Sequence, residues 1–359
     1  MRVAALAALV VLGSAGCDAV FGLERDDSKP WLDGYAFRKR ITITPNVATD
    51  LVDVPISVAT AVAPELMSGA RADGTDLVFT ADDDDTILDY EIVDYDSATG
   101  ALDAWVRIPA LRGQAATELS LYYGGPIRAA VASATWPSRC ALVWHLSGTT
   151  TTEHDSTTNA HHPSGVLAPP RVAGIAGYAR DLAPASRLAI PSVGLDFATV
   201  SFGFSIWVRI AQTLGSYDSP FYRGGSSATN EGYSLLLGTS DWQAELSNGT
   251  GTNLVISVAP QPVIDRWTQL AVIVDREALA FRGYRDGVEV ASVPLAPTFG
   301  SIGGPGRELE LGSLSYPFQG TIDEVRMYSG APPPAWFTVE FANLTDRARF
   351  MQIGAEEAR

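Results

Sequence analysis

The stretch that decides the fold is Ala280–Val293, AFRGYRDGVEVASV. Asp286-Gly287 stands between two arms in which apolar and polar residues alternate. A two-residue type I′ turn needs positive φ at both central positions, and Asp-Gly is one of the few pairs that tolerates this, so the segment predicts a β-hairpin. Working outward, FSIWVRIA carries Phe204, Ile206, Val208 and Ile210 at every second position, and TQLAVIVD is a further apolar strand.

The same strand-and-turn texture runs through the 359 residues, a length that suits about two domains at roughly 150 residues each. Charged residues make up 18%, below the typical figure of about 25%, while 33 Gly and 22 Pro punctuate short apolar runs. The composition predicts an all-β protein with many turns. A formal net charge of −16 argues against a nucleic-acid partner, because a polyphosphate is repelled by the mean field of such a chain.

The first half repeats the pattern. RKRITIT alternates Ile41 and Ile43 with threonines, and TELSLYY alternates Leu119, Leu121 and Tyr123 with polar neighbours. LVDVPISVAT, DLVFTADDDDTILDYEI and LDAWVRIPAL lie between them, separated by Gly, Asp and Pro clusters, which gives five or more strands at β-sandwich spacing. Asp82 to Asp85 are expected to form a solvated acidic turn, since they lack the alternation of an EF-hand loop.

The N-terminus reads MRVAALAALVVLGSAGC, with an apolar run from Val3 to Leu12 that is too short to span a membrane and fits an export signal. Ser14-Ala15-Gly16 before Cys17 resembles a bacterial lipobox, which implies cleavage after Gly16 and lipidation of Cys17. An ordinary secretory signal is the alternative. Cys140, in the apolar run CALVWHL, is expected to be a small core residue.

Two resemblances follow from ordered motifs. Tyr35 to Lys39, Asp50 to Val58, Asp73 to Phe79, Tyr90 to Ile92, Trp105 to Pro109 and Leu121 to Gly124 resemble, in that order, an exported bacterial domain family of unknown function. The motifs LVWHL, DSTTN, GIAGYARDL, FGFSIWVRI, YRDGVEV, ELELGSL and FQGTIDEVRMY resemble the laminin-G-like, concanavalin A-like jelly roll of bacterial surface proteins. The tail APPPAWFTVEFANLTDRARFMQIGAEE is similar to the helix and last strand that close proteins pairing these domains. Pro334 suits the first turn of that helix, and Trp336, Val339, Phe341 and Leu344 supply an apolar stripe. The expected organisation is a signal peptide (1–16), a tether (17–32), a β-sandwich (33–130), a jelly roll (135–330) and a C-terminal helix and strand (331–359). Residues 133–330 are expected to fold alone unless the C-terminal helix completes their core.

All four histidines fall in HLSGTTTTEHDSTTNAHH, from His145 to His162. Their spacing matches no zinc motif, so a polar loop is the reading, with His145 following Trp144 at the end of a strand and His154, His161 and His162 in the loop after it. The jelly-roll resemblance implies instead that Asp155, Asn159 and Asp323 are candidate calcium ligands.

No catalytic carboxylate pair or nucleophile motif stands out. Asp323 and Glu324 are adjacent, and strand alternation sends them to opposite faces; Glu308 and Glu310 share a solvated face opposite Leu309 and Leu311. The expected function is a lipid-anchored, cell-envelope binding or adhesion protein, exported to a bacterial membrane, with a glycan or an envelope protein as ligand. Trp242 and Tyr316 are candidate loop aromatics for stacking on sugars, with core or edge packing an equal expectation for each. The alternatives are a structural envelope component and a glycan-cleaving enzyme.

Overall fold

The computed structural model describes residues 30–359 apart from 150–152, 166–168, 185, 192–193, 213–216, 261–262 and 305. The signal peptide, Cys17 and the tether as far as residue 29 lie outside the described residues. Among those described, no helix is long and apolar enough to cross a membrane.

The alternating segments of the first half become the strands Phe37–Ile43, Leu51–Thr60, Val78–Ala81, Tyr90–Asp96, Ala101–Leu111 and Thr117–Tyr123. Their apolar positions, such as Ile41, Ile43, Ile56, Val58, Leu119 and Leu121, are buried. Leu51–Thr60, Ala101–Leu111 and Tyr90–Asp96 form a three-stranded antiparallel sheet. The opposing sheet has four strands, and its edge strand comes from the far end of the chain: Met351–Ala358 pairs with Phe37–Ile43. Ile41 lies opposite Ile353, and Arg38 holds Glu357 at 2.7 Å. The tail is thus a working part of the N-terminal sandwich.

The second half is the expected jelly roll of two antiparallel sheets, one of eight strands and one of seven. The deciding hairpin joins Ala280–Arg285 to Val288–Pro294, with φ of 52° at Asp286 and 77° at Gly287 as the turn chemistry requires. Phe204, Ile206, Val208, Leu270, Val272, Leu235 and Leu246 fill the space between the sheets.

The intervening residues of the eight-stranded sheet are also covered. Trp207, Ala271, Ile273, Tyr284 and Tyr328 point away from the jelly-roll interior and join an apolar cluster that continues into Val58, Trp105 and Ile41 of the N-terminal sandwich. Between them lies the helix Ala335–Thr345, preceded by Pro334. Phe341 stacks on Trp207 at 5.7 Å, and Phe337 packs on Tyr284 at 5.1 Å. On the other side, Asn343 donates to the Ser57 carbonyl and accepts from the Ser57 N–H, at 2.9 and 2.8 Å. The helix therefore completes the outer face of the jelly roll and ties it to the first sandwich.

Candidate functional site

The site grows from an irregularity in the strand Gly320–Ser329. Ile322 and Val325 both enter the jelly-roll core, although strict alternation would send them to opposite faces. The pairing with Phe202–Ile210 shifts between Ser205 and Trp207, and Glu324 has φ of 45°, which marks a β-bulge. The expectation that Asp323 and Glu324 diverge is thereby corrected: the extra residue turns both toward the junction of the two sandwiches. Both are almost fully buried there, so neither faces an open groove.

Glu324 Oε1 lies 2.7 Å from His145 Nδ1, and the other imidazole nitrogen, Nε2, lies 3.4 Å from Glu91 Oε2 on the first sandwich. Trp136 Nε1 and Ser156 Oγ each donate to Glu91 at 2.7 Å. Trp105 stacks on the His145 ring at 5.7 Å. Burial alone would lower the His145 pKa, but the two carboxylates outweigh it and hold the imidazole well above its usual range. Burial would likewise raise Glu91 and Glu324, yet His145 keeps both below the usual carboxylate range. Arg326 extends the lock, donating to Glu324 at 2.5 Å and to Glu340 of the C-terminal helix at 2.9 Å. Tyr328, Trp336 and Gln269 also donate to Glu340.

Above this floor opens a cleft of about 380 Å³. Glu91 to Asp94 form one wall, and Leu146 to Thr149 with Glu153, His154 and Ser156 form the other. Glu153 is buried against Arg180, whose guanidinium also donates to the Gly148 and Pro169 carbonyls, so the base of the loop is pinned. Asp94 and His154 stand exposed at the rim, with Arg171 3.7 Å from Asp94.

The histidine-rich stretch therefore divides. His145, which follows Trp144 at the end of its strand, is a buried ion-pair partner, while the other three lie in the loop after it. His154 and His162 meet edge to face at 5.3 Å, and His162 Nδ1 accepts the Asp155 N–H. His161 is lowered by burial. Among the described residues, no three His, Cys, Asp or Glu side chains are grouped to hold a metal ion.

The calcium candidates hold turns. Asp155 accepts from the Val143, Thr157 and His161 N–H groups and from the Thr157 hydroxyl. Asn159 donates to the Ala141 carbonyl. Asp323 accepts the Ile175, Ala176 and Glu324 N–H groups. Calcium needs six to eight convergent oxygens, and within the chain the Asp155 carboxylate already accepts four donors and the Asp323 carboxylate three.

Other sequence expectations are redrawn by packing. Trp242 is 1% exposed in the jelly-roll core, because it falls on an inward position of Asp241–Ser247 rather than in a loop. Asp84 is not solvated: φ of 56° turns it inward to meet Arg38 at 3.0 Å and the Ser120 hydroxyl at 2.6 Å. Glu308 and Glu310 do share the face opposite buried Leu309 and Leu311, and Arg187 bridges them. Cys140 is a core thiol pushed up to about 12 by burial.

The match to a family model agrees with the jelly-roll architecture. No curated protein matches the sequence. Among solved structures, the chain is similar to the binding domain of Paraclostridial Mosquitocidal Protein 1, at 14% identity and a TM-score of 0.48, covering 56% of this chain and 52% of that one. Domain 4 of AbnA, a GH43 extracellular arabinanase from Geobacillus stearothermophilus solved with arabinotriose, matches at 23% identity and a TM-score of 0.45, covering 56% and 97%. The binding domain of Botulinum Neurotoxin DC, in complex with SialylT, matches at 11% and 0.44, covering 58% and 52%. The chain thus spans about half the length of the two toxin chains. Residues 73–157 match the family described as Domain of unknown function (DUF2341), and residues 184–336 match the Concanavalin A-like lectin/glucanases superfamily, so the chain carries these two domains in that order.

Proposed function

We propose that this chain is a binding protein of the bacterial envelope, exported and held by a lipid on Cys17, whose junction cleft takes a glycan. The observation that carries this reading is the cleft itself, which is shared by both sandwiches. Its ionisable floor is locked in fixed pairs: Glu91 and Glu324 clamp His145, and Arg326 holds Glu324. A carboxylate pair that hydrolyses a glycoside must keep an acid and a base or nucleophile free on either side of the bond. The locked pairs favour recognition over cleavage. At the rim, Asp94, Arg171 and His154 supply donors and acceptors of both signs, which suits a ligand rich in hydroxyl groups. An envelope protein seated on the same rim is the second reading.

The test is a glycan array probed with the soluble chain from Ser28, alongside the variant Asp94→Ala/Arg171→Ala. Binding should be lost in the double variant. A wild-type array blank for all glycans would overturn the glycan reading and direct crosslinking toward an envelope protein. Anchoring is tested separately, since Cys17→Ser should move the protein from the membrane to the soluble fraction.

A further inference from the structure

The two jelly-roll sheets end side by side, and there the sandwich is open. Asn253–Pro260 is the last strand of the seven-stranded sheet and Val288–Pro294 the last of the eight-stranded one, so each has a hydrogen-bonded neighbour on one side only. Gly283, on the strand next to Val288–Pro294, lets the two edges approach, since a Cβ there would stand 2.3 Å from Val258 Cγ1. Between the edges runs a groove of about 420 Å³.

Val255 and Val290 line this groove yet stand 45% and 43% exposed. Asn253–Pro260 contains no charged residue, although the whole chain carries a formal charge of −16. Edge strands are normally blunted by charges, because their free N–H and C=O groups are a template for another strand. From Asn253 to Ser257 the strand pairs in unbroken register with Ser247 to Gln243, so its free side offers a regular run of five residues. The facing edge is a poorer template: Gly283 pairs with Ala291 and Tyr284 with Glu289, which leaves Val290 as a bulge.

Charge selects the occupant. Phe281 faces the jelly-roll core, so Gly283 and Arg285 on the same strand turn the same way, and Arg285 reaches the groove. Arg266 and Arg282 nearby hold Asp286 and Asp275. Arg285 is half-buried, and among the described residues it meets no carboxylate. None of the groove-lining residues is acidic. A second copy brought edge to edge would set this valine-and-arginine face against itself and leave Arg285 without a counter-charge. An extended peptide with apolar side chains at every second position and one carboxylate satisfies the free backbone, the valines and the guanidinium together.

We propose that this open edge, separate from the junction cleft, docks an extended peptide segment of a partner protein, added as a strand to Asn253–Ser257 with its carboxylate on Arg285. The experiment uses the full chain in detergent and an array of amidated heptapeptides that alternate Val, Ile or Phe with Ser or Thr and carry Asp, Asn or Lys at either end. Members with Asp should bind about tenfold more tightly than their Asn counterparts, the worth of a hydrogen bond between charged groups, and those with Lys least. Arg285→Glu should reverse the order in favour of Lys. N-methylation of alternate peptide N–H groups should abolish binding while leaving the protein untouched. Asp94→Ala/Arg171→Ala should change nothing; loss of binding there would assign the peptide to the junction cleft and overturn the proposal. Binding by no member of the array would overturn it as well. So would an unchanged preference for Asp in Arg285→Glu, which would leave Arg285 as a charge that merely blunts the edge. A chain that is dimeric in detergent and made monomeric by Val290→Asp would give the groove to a second copy instead.

Discussion

Inside the jelly roll, Phe204, Ile206, Leu235 and Val272 are buried in an apolar cluster, whereas at the junction His145, Glu324, Arg326 and Glu340 are just as deeply buried and carry charge. Both regions exclude water, but they are held differently. The jelly-roll interior is stabilised by apolar burial, which is non-directional and tolerates one altered contact. The junction depends on each ion finding its partner, because a buried charge left alone costs far more than a lost methyl group. Arg326 shows how closely this is arranged: its guanidinium lies 4.2 Å from the Trp105 ring centroid and 5.1 Å from that of Trp136 while it bridges two carboxylates. The comparison teaches that the two sandwiches are joined by a specific lock as well as by an apolar seam.

The strongest way to break the comparison is to remove the last strand. A chain ending at Thr345 keeps the helix but loses buried Phe350 and Met351, the partner of Phe37–Ile43, and the Glu356 and Glu357 contacts to Tyr123 and Arg38. Two large buried side chains alone are worth roughly 2–5 kcal/mol each, and an unpaired edge invites aggregation. The truncated chain should lose the N-terminal sandwich, read as protease digestion of residues 30–125 and aggregation. A soluble chain with an unchanged melting temperature would mean the tail is ornamental.

Arg326→Ala comes next. Removing one partner of a buried network typically costs about 3–5 kcal/mol. Phe204→Ala in the jelly-roll core should cost a similar amount by leaving a cavity. The two separate by pH. Without Arg326, Glu324 loses one of the two cations that favour its charged form, so the defect should grow as pH rises through the carboxylate range. The Phe204→Ala defect should stay flat. Equal pH profiles in denaturant titrations would remove the distinction between the two regions.

Why one region was legible and the other was not has a physical cause. The jelly-roll core repeats every two residues, so FSIWVRI and the Asp286-Gly287 turn announce their geometry locally. The junction is built from pairs far apart in sequence: Glu91 with His145, His145 with Glu324, Ser57 with Asn343, and Phe37–Ile43 with Met351–Ala358. No local period encodes such partners. His145 reads as the end of a strand, but nothing near it in the sequence names Glu91 or Glu324 as its partner, and the bulge at Glu324 breaks the alternation that places the residues on either side. Trp242 reads equally as loop or core, since a Gly-Thr-Ser-Asp turn immediately precedes it, and the inward position on its strand decides for the core. One signal was available: in TIDEVRMY, Asp323, Glu324 and Arg326 interrupt an otherwise apolar strand, and charges in such a strand call for buried partners.

The smallest expected effect, and the one that sharpens the comparison most, concerns Asp103. It sits on Ala101–Leu111 at the same junction and is 7% exposed, yet its Oδ1 has no hydrogen-bond partner. Its Oδ2 lies so close to Gly177 of the jelly roll that a Cβ there would stand 2.5 Å away. Burial first, and then the like charge of Glu324, push Asp103 up to about 6, against His145 and Arg347, which pull it down. Because this folded value lies above the ordinary 3.8, Asp103 favours the fold while it is protonated, and that contribution is lost as pH rises from about 4 through about 6. Asp103→Asn removes the ionisation. The variant should match the wild type near pH 4 and exceed it by about 1–3 kcal/mol above pH 7, since each pKa unit is worth about 1.4 kcal/mol. Urea titrations of both proteins across this range measure the difference. A constant offset would mean that Asp103 is solvated in the folded protein, and a variant that loses stability at high pH would mean that its carboxylate is paired there. The growing gain expected instead marks Asp103 as the one junction carboxylate among those named that lacks a fixed partner.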